Sequence, residues 1–126
     1  MKFRASPSWS ATFRHAWRGL RVAFLGERSL RFQLFMGVLA LFCGWFLRLS
    51  SLEMAVLALV TALVLVLELV NSSLERFIDL AKPRLDEGVR DVKDILAGAV
   101  FVASLAAVVV GVSLLFPKLL VLAATL

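Results

Sequence analysis

Cysteine and histidine occur once each in these 126 residues, and only 18% of the chain is charged. The lone Cys43 excludes an internal disulfide, and no CxxC or zinc-ligand spacing accompanies it. His15 falls in an amphipathic stretch and reads as an interfacial residue rather than a metal ligand. No GxxxxGK[ST] loop, GxGxxG turn, HRD or DFG triplet is present, which excludes P-loop and protein-kinase chemistry. Any nucleotide must then be held by charge and metal at a membrane surface. Charge itself is scarce beside the quarter or so expected of a soluble domain. Hydrophobic residues reach 61%, and the mean hydropathy is +0.93. The apolar residues come in long runs, so the surface is built for lipid. The length suits one compact domain without a separate soluble catalytic module.

The net charge is +5, and seven of the 14 basic residues lie in the first 31 positions: Lys2, Arg4, Arg14, Arg18, Arg21, Arg28 and Arg31. In so hydrophobic a chain this arm favours cytoplasmic retention and anionic headgroups over nucleic acid. It has no compact apolar core or small-residue cleavage site, so it does not read as a secretory signal. From 10 to 25, Phe13, Ala16, Trp17, Leu20 and Phe24 recur at helical steps opposite Arg14, Arg18 and Arg21. The pattern predicts an amphipathic helix lying on the cytoplasmic interface, with packing against protein alone as the alternative.

Three spans follow. The first is expected over 29–48 with Trp45 at an interface, and Arg48-Leu-Ser-Ser forms a tight turn on the far side. The second is expected over 52–81, projecting into the cytoplasm and ending before Pro83. Residues 82–94 are densely charged and read as the cytoplasmic loop; 95–116 is a third span of 22 uncharged residues stopped by Pro117. Basic loops predict a cytoplasmic N-terminus, a cytoplasmic connection between spans two and three and an outer C-terminus, with only Arg48 and Lys118 basic outside. The fold class is therefore an all-α membrane protein: a surface helix plus three transmembrane helices.

The second span carries the chemistry. Glu68, Asn71, Ser72, Glu75, Asp79 and Lys82 fall within about a 100° arc of one helix face. A carboxylate in hydrocarbon costs at least about 2.5 kcal/mol and needs a partner, a metal or a polar cavity. Glu68 and Glu75 lie about 10 Å apart along the axis, too far to share an ion but suited to two roles in one groove. A divalent cation near one and a reacting hydroxyl near the other would fit; simple pairing with basic residues is the bland alternative. Glu27, among arginines before the first span, could join Glu75 in holding Mg²⁺, which takes one or two protein carboxylates. Lys93 at the mouth of the third span suits a phosphate oxygen. Ala99, Ala103, Ala107 and Gly111 form a small-residue stripe that lets helices approach closely. Three spans barely enclose a site, so a homo-oligomer with sites between protomers is expected.

The segments GERSLRFQ, ELVNSSLERFIDL and VKDILAGAV, in this order and spacing, resemble the prokaryotic diacylglycerol kinase family, which includes undecaprenol kinases. The resemblance runs from about Arg14 to Phe116. It implies a trimer of one surface helix and three membrane helices per chain, transferring the γ-phosphoryl of MgATP to a lipid hydroxyl. By matching positions it implies Glu68 as general base, Glu27 and Glu75 as metal-binding residues, and Asn71, Asp79, Lys93, Asp94 and Arg14 as ATP-binding residues. The histidine that family members often carry in the segment corresponding to PRLDEGVRD is absent, leaving Arg84 or Arg90 as possible phosphate contacts. Gln33 stands where diacylglycerol kinases tend to have an acidic residue, which favours undecaprenol over diacylglycerol. Two rivals remain: a proton-coupled transporter or channel subunit, since an intramembrane glutamate also relays protons, and a non-catalytic assembly subunit.

Overall fold

The structure, a computed structural model, describes residues 8–81 and 86–126. Most of the polar amino-terminal stretch, and Lys82 and Arg84 of the expected loop, lie outside the described residues. All described secondary structure is helical: α1 (Trp9–Gly26), α2 (Arg28–Phe46), α3 (Ser51–Ala81) and α4 (Glu87–Ala124). The last three are long and apolar enough to cross a membrane.

α1 begins at Ser8, whose hydroxyl accepts the amide of Ala11 at 3.4 Å. Its aromatic side stays open, with Trp9 92% exposed and Phe13 and Trp17 exposed a turn and two turns on. One extended residue, Glu27, separates α1 from α2. The last carbonyls of α1 would otherwise lack donors. Arg31 reaches back from α2 to cover those of Phe24 and Leu25 at 2.9 and 3.1 Å.

α2 and α3 form an antiparallel pair joined by a closed turn. The amide of Leu49 donates to Gly44 O at 3.0 Å and that of Arg48 to Trp45 O at 3.2 Å, a Schellman ending. Arg48 occupies the left-handed position (φ 56°), where glycine is usual. α3 then starts on a reciprocal cap: Glu53 N–H donates to Ser50 Oγ at 3.2 Å, and Ser50 N–H to Glu53 Oε2 at 2.7 Å.

The small residues that matter for close packing are on α2. A Cβ at Gly37 would collide with the Thr61 methyl, and one at Gly44 would meet Met54 Sδ at 2.8 Å and Leu49 Cδ1 at 2.9 Å. At Gly111, by contrast, a Cβ would meet nothing within 4 Å. The α4 stripe thus opens at Gly111 onto a groove rather than sealing a helix crossing. Buried hydrophobic side chains are few (Ala23, Leu30, Leu57, Val64 and Val100), and large apolar side chains line the outside of every helix. Such an outside is stable only against hydrocarbon.

Two boundaries differ from those the sequence pattern predicts. Within the stretch 82–94 expected as loop, α4 already begins at Glu87, because Asp86 Oδ1 accepts the Val89 amide at 2.8 Å and caps the helix. At the other end Pro117 does not stop the third span, and α4 runs on to Ala124. Proline removes one backbone bond, a loss that membrane helices tolerate through neighbouring groups. The apolar tail is therefore the last turns of α4, and Lys118 lies 4.0 Å from Glu53 across the end of the bundle.

Candidate active site

The acidic stripe of α3 resolves into two adjacent ladders. Glu68, Ser72 and Arg76 follow at steps of four and face the α1–α2 elbow. Ser29 Oγ donates to Glu68 Oε1, Ser72 Oγ donates to Glu27 Oε1 at 2.8 Å, and Arg76 Nη2 reaches the same oxygen at 3.4 Å. Glycine at 26 makes room for this, since a Cβ there would overlap the Arg76 guanidinium. Asn71, Glu75 and Asp79 form the second ladder, of which Asp79 reaches α4. Asn71 Nδ2 donates to Glu75 Oε1 at 3.4 Å, and Lys93 Nζ donates to Asp79 Oδ1 at 2.5 Å.

Glu68 is 5% exposed and Ser72 4%, so both are enclosed by protein rather than turned to acyl chains. A carboxylate at this depth is normally matched by a cation. Among the described residues none pairs with Glu68; a neutral hydroxyl does. Asn71 Oδ1, beside Glu75, is buried without a hydrogen-bond partner. Orphaned buried acceptors are uncommon and point to a missing donor or cation.

An apolar groove of about 740 Å³ runs between α2, α3 and α4, and Glu68 lies one helical turn beyond its wall. Its wall includes Gln33, one turn along α2 from Ser29, and Val64, one turn along α3 from Glu68. Its other polar liners are Thr61 and Ser104, and the Thr61 hydroxyl is spent on Leu57 O of its own helix at 2.8 Å. Gln33 Oε1 is buried and unpartnered.

The structure thus brings Glu27 to Ser72 and Arg76, Asn71 to Glu75, and Lys93 to Asp79. It leaves others apart. Arg14 is exposed, without a side-chain partner among the described residues, and about 18 Å along α1 from the elbow at 1.5 Å per residue. Asp94 and Arg90 are exposed on the first turns of α4, also without side-chain partners among the described residues. No three His, Cys, Asp or Glu residues among those described converge as a cage for a metal. Sequence reasoning misses Ser29 and Arg76. The only signal was their place on the right faces: Ser29 two residues after Glu27, Arg76 four after Ser72.

A bundle of three candidate spans with a buried carboxylate, Glu68, near one end defines a multi-pass membrane protein with a polar site close to an apolar groove. The family model described as prokaryotic diacylglycerol kinase matches residues 14–115, and the chain belongs to this family. It is 40% identical over 119 residues to a diacylglycerol kinase of Synechocystis, covering 94% of this chain and 68% of that one. It is also 31% identical over 108 residues to an undecaprenol kinase of Bacillus subtilis, covering 86% and 88% of the two chains. The protein is a membrane lipid kinase that uses ATP, and the transporter and assembly-subunit readings are set aside.

Proposed function

We propose that this kinase phosphorylates undecaprenol at the cytoplasmic face of the bacterial inner membrane, with Glu68 as general base. The observation that carries the reading is Glu68 itself: buried, uncompensated by a cation among the described residues, and one helical turn from Val64 in the wall of an apolar groove. The acceptor's chain would lie along the groove with its hydroxyl at Glu68. The hydroxyl proton passes to the carboxylate, the alkoxide-like oxygen attacks the γ-phosphorus, and the bond to ADP breaks. Ser29, holding Oε1, leaves Oε2 for that proton.

ATP is held with Mg²⁺ as its partner ion in this reading. Glu27, Glu75 and the orphaned Asn71 Oδ1 are all hard oxygen donors, the type magnesium prefers. When bound, the ion neutralises charge on the phosphate oxygens. Asn71, Lys93, Asp79 and Asp94 take the nucleotide side. Arg14 joins them if α1 of a neighbouring protomer supplies it, in a homotrimer with sites shared between chains. The basic elbow and α1 support a cytoplasmic position for this end, with Arg48 and Lys118 on the outer side in this reading.

The groove favours a polyprenol over diacylglycerol. Ester carbonyls carried into it would need donors, and its walls offer few, the Gln33 carboxamide and the Ser104 hydroxyl. Diacylglycerol is the second reading, favoured by the 40% identity to the Synechocystis enzyme. Purified protein in mixed micelles with labelled ATP and equal amounts of the two lipids separates them: undecaprenol should take the label faster. Glu68→Gln should lower turnover about 10²- to 10⁴-fold with either lipid. Full activity of that variant removes the base assignment.

A further inference from the structure

Arg76 is absent from every role assigned so far, yet it is the cation nearest Glu27. We propose that Arg76 is a resident counter-cation that keeps Glu27 in place in the empty site and, when metal and nucleotide arrive, gives up the carboxylate for a phosphate oxygen. This rests on the reading of Glu27 as a metal-binding carboxylate.

The pair looks made to be exchanged. A lasting arginine–carboxylate pair is typically short and two-pronged. Here one guanidinium nitrogen approaches one oxygen at 3.4 Å, and that oxygen already accepts Ser72 at 2.8 Å. The side chains are 47% and 28% exposed, so water and small ions reach both. Exposed pairs of this kind hold weakly. The seat of the guanidinium is nevertheless specified, because Gly26 supplies the space that any other residue would fill. Arg76 also directly follows Glu75 and precedes Asp79 by one turn, among the groups that face ATP. The neighbouring cation Lys93 is committed to Asp79 at 2.5 Å. A released guanidinium fork suits phosphate geometry better than a lysine does. In the exchange Glu27 trades a monovalent partner for a divalent one, and the freed guanidinium offsets one of the four phosphate charges that enter.

Competition followed by cooperation predicts effects of opposite sign. Without nucleotide, Arg76 opposes a cation at Glu27; with ATP, it helps hold the phosphates. The test is Tb³⁺ binding to nucleotide-free protein in neutral detergent, read by luminescence, set beside the KM for ATP. Arg76→Ala should tighten Tb³⁺ binding about two- to fivefold and raise the ATP KM about tenfold. Arg76→Lys should keep the weaker Tb³⁺ binding and recover part of the KM. Gly26→Ala, which displaces the guanidinium without removing it, should tighten Tb³⁺ binding in the same way and serves if Arg76→Ala does not fold. Weaker or unchanged Tb³⁺ binding in both Arg76→Ala and Gly26→Ala, or an unchanged KM in Arg76→Ala, overturns the proposal. Glu27→Gln tells the two failures apart. If Tb³⁺ binding is unaffected by Glu27→Gln, the metal assignment falls and the exchange with it. If Glu27→Gln abolishes binding while the Arg76 and Gly26 variants leave it unchanged, only the exchange falls.

Discussion

The two ends of α3 satisfy their polar groups in opposite ways. At the Ser51 end the hydrogen-bond partners are near neighbours in sequence, Ser50 with Glu53, Arg48 with Trp45 and Leu49 with Gly44, and the long-range ion pair of Glu53 with Lys118 stands off at 4.0 Å. At the charged end the partners come from distant parts of the chain: Ser29 with Glu68, Ser72 with Glu27, Lys93 with Asp79. The turn before α3 closes on itself. The charged end leaves the Asn71 oxygen unpartnered and two carboxylates held by hydroxyls. Local closure leaves little polar capacity for a ligand. Assembly from three helices makes a place whose remaining capacity is available to a ligand.

Breaking the charged end should show in rate. Ser29→Ala removes the hydroxyl that orients Glu68, and kcat should fall roughly ten- to hundredfold, the worth of a hydrogen bond to a charged group. The ATP KM should hold and Ser29→Thr should recover most of the rate in steady-state assays; an equal loss in both variants would mean the hydroxyl is unimportant. Breaking the helix crossing between the two ends should show in stability instead. Gly37→Ala drives a methyl into Thr61, whose β-branched side chain has little freedom to turn aside. Thermal unfolding in detergent should report a loss of about 1–3 kcal/mol, recovered by adding Thr61→Ala. Gly111→Ala meets open space in a single chain, and should be neutral or stabilising by up to about 1 kcal/mol. A clear loss there would mean that another protomer covers the groove. An effect of similar size belongs to the turn before α3: Arg48→Gly relieves a left-handed arginine and should stabilise by about 1 kcal/mol with kcat unchanged.

The same contrast explains what could be read without coordinates. Helices, spans and the acidic face of α3 follow from periodicity and from the cost of charge in hydrocarbon, both properties of one segment. Ser29 and Arg76 gain their roles only from the register of α2 and the elbow against α3, which no single segment encodes. The start of α4 was legible in principle, since Asp86 and Glu87 are a helix-starting pair, but the surrounding charges and Gly88 weigh toward a loop. Pro117 reads as a stop under the rules for water. In lipid a broken helix has nowhere better to place its backbone, so the helix continues.

The joint at Glu27 constrains how the chain can vary. A single residue both turns the backbone and presents a carboxylate, so inserting or deleting one residue there would rotate α1 by about 100° relative to α2. The open aromatic side of α1 would swing away from wherever it rests while the carboxylate lost its serine and arginine. The hinge cannot change its length: how α1 is phased and where the acid points are a single degree of freedom.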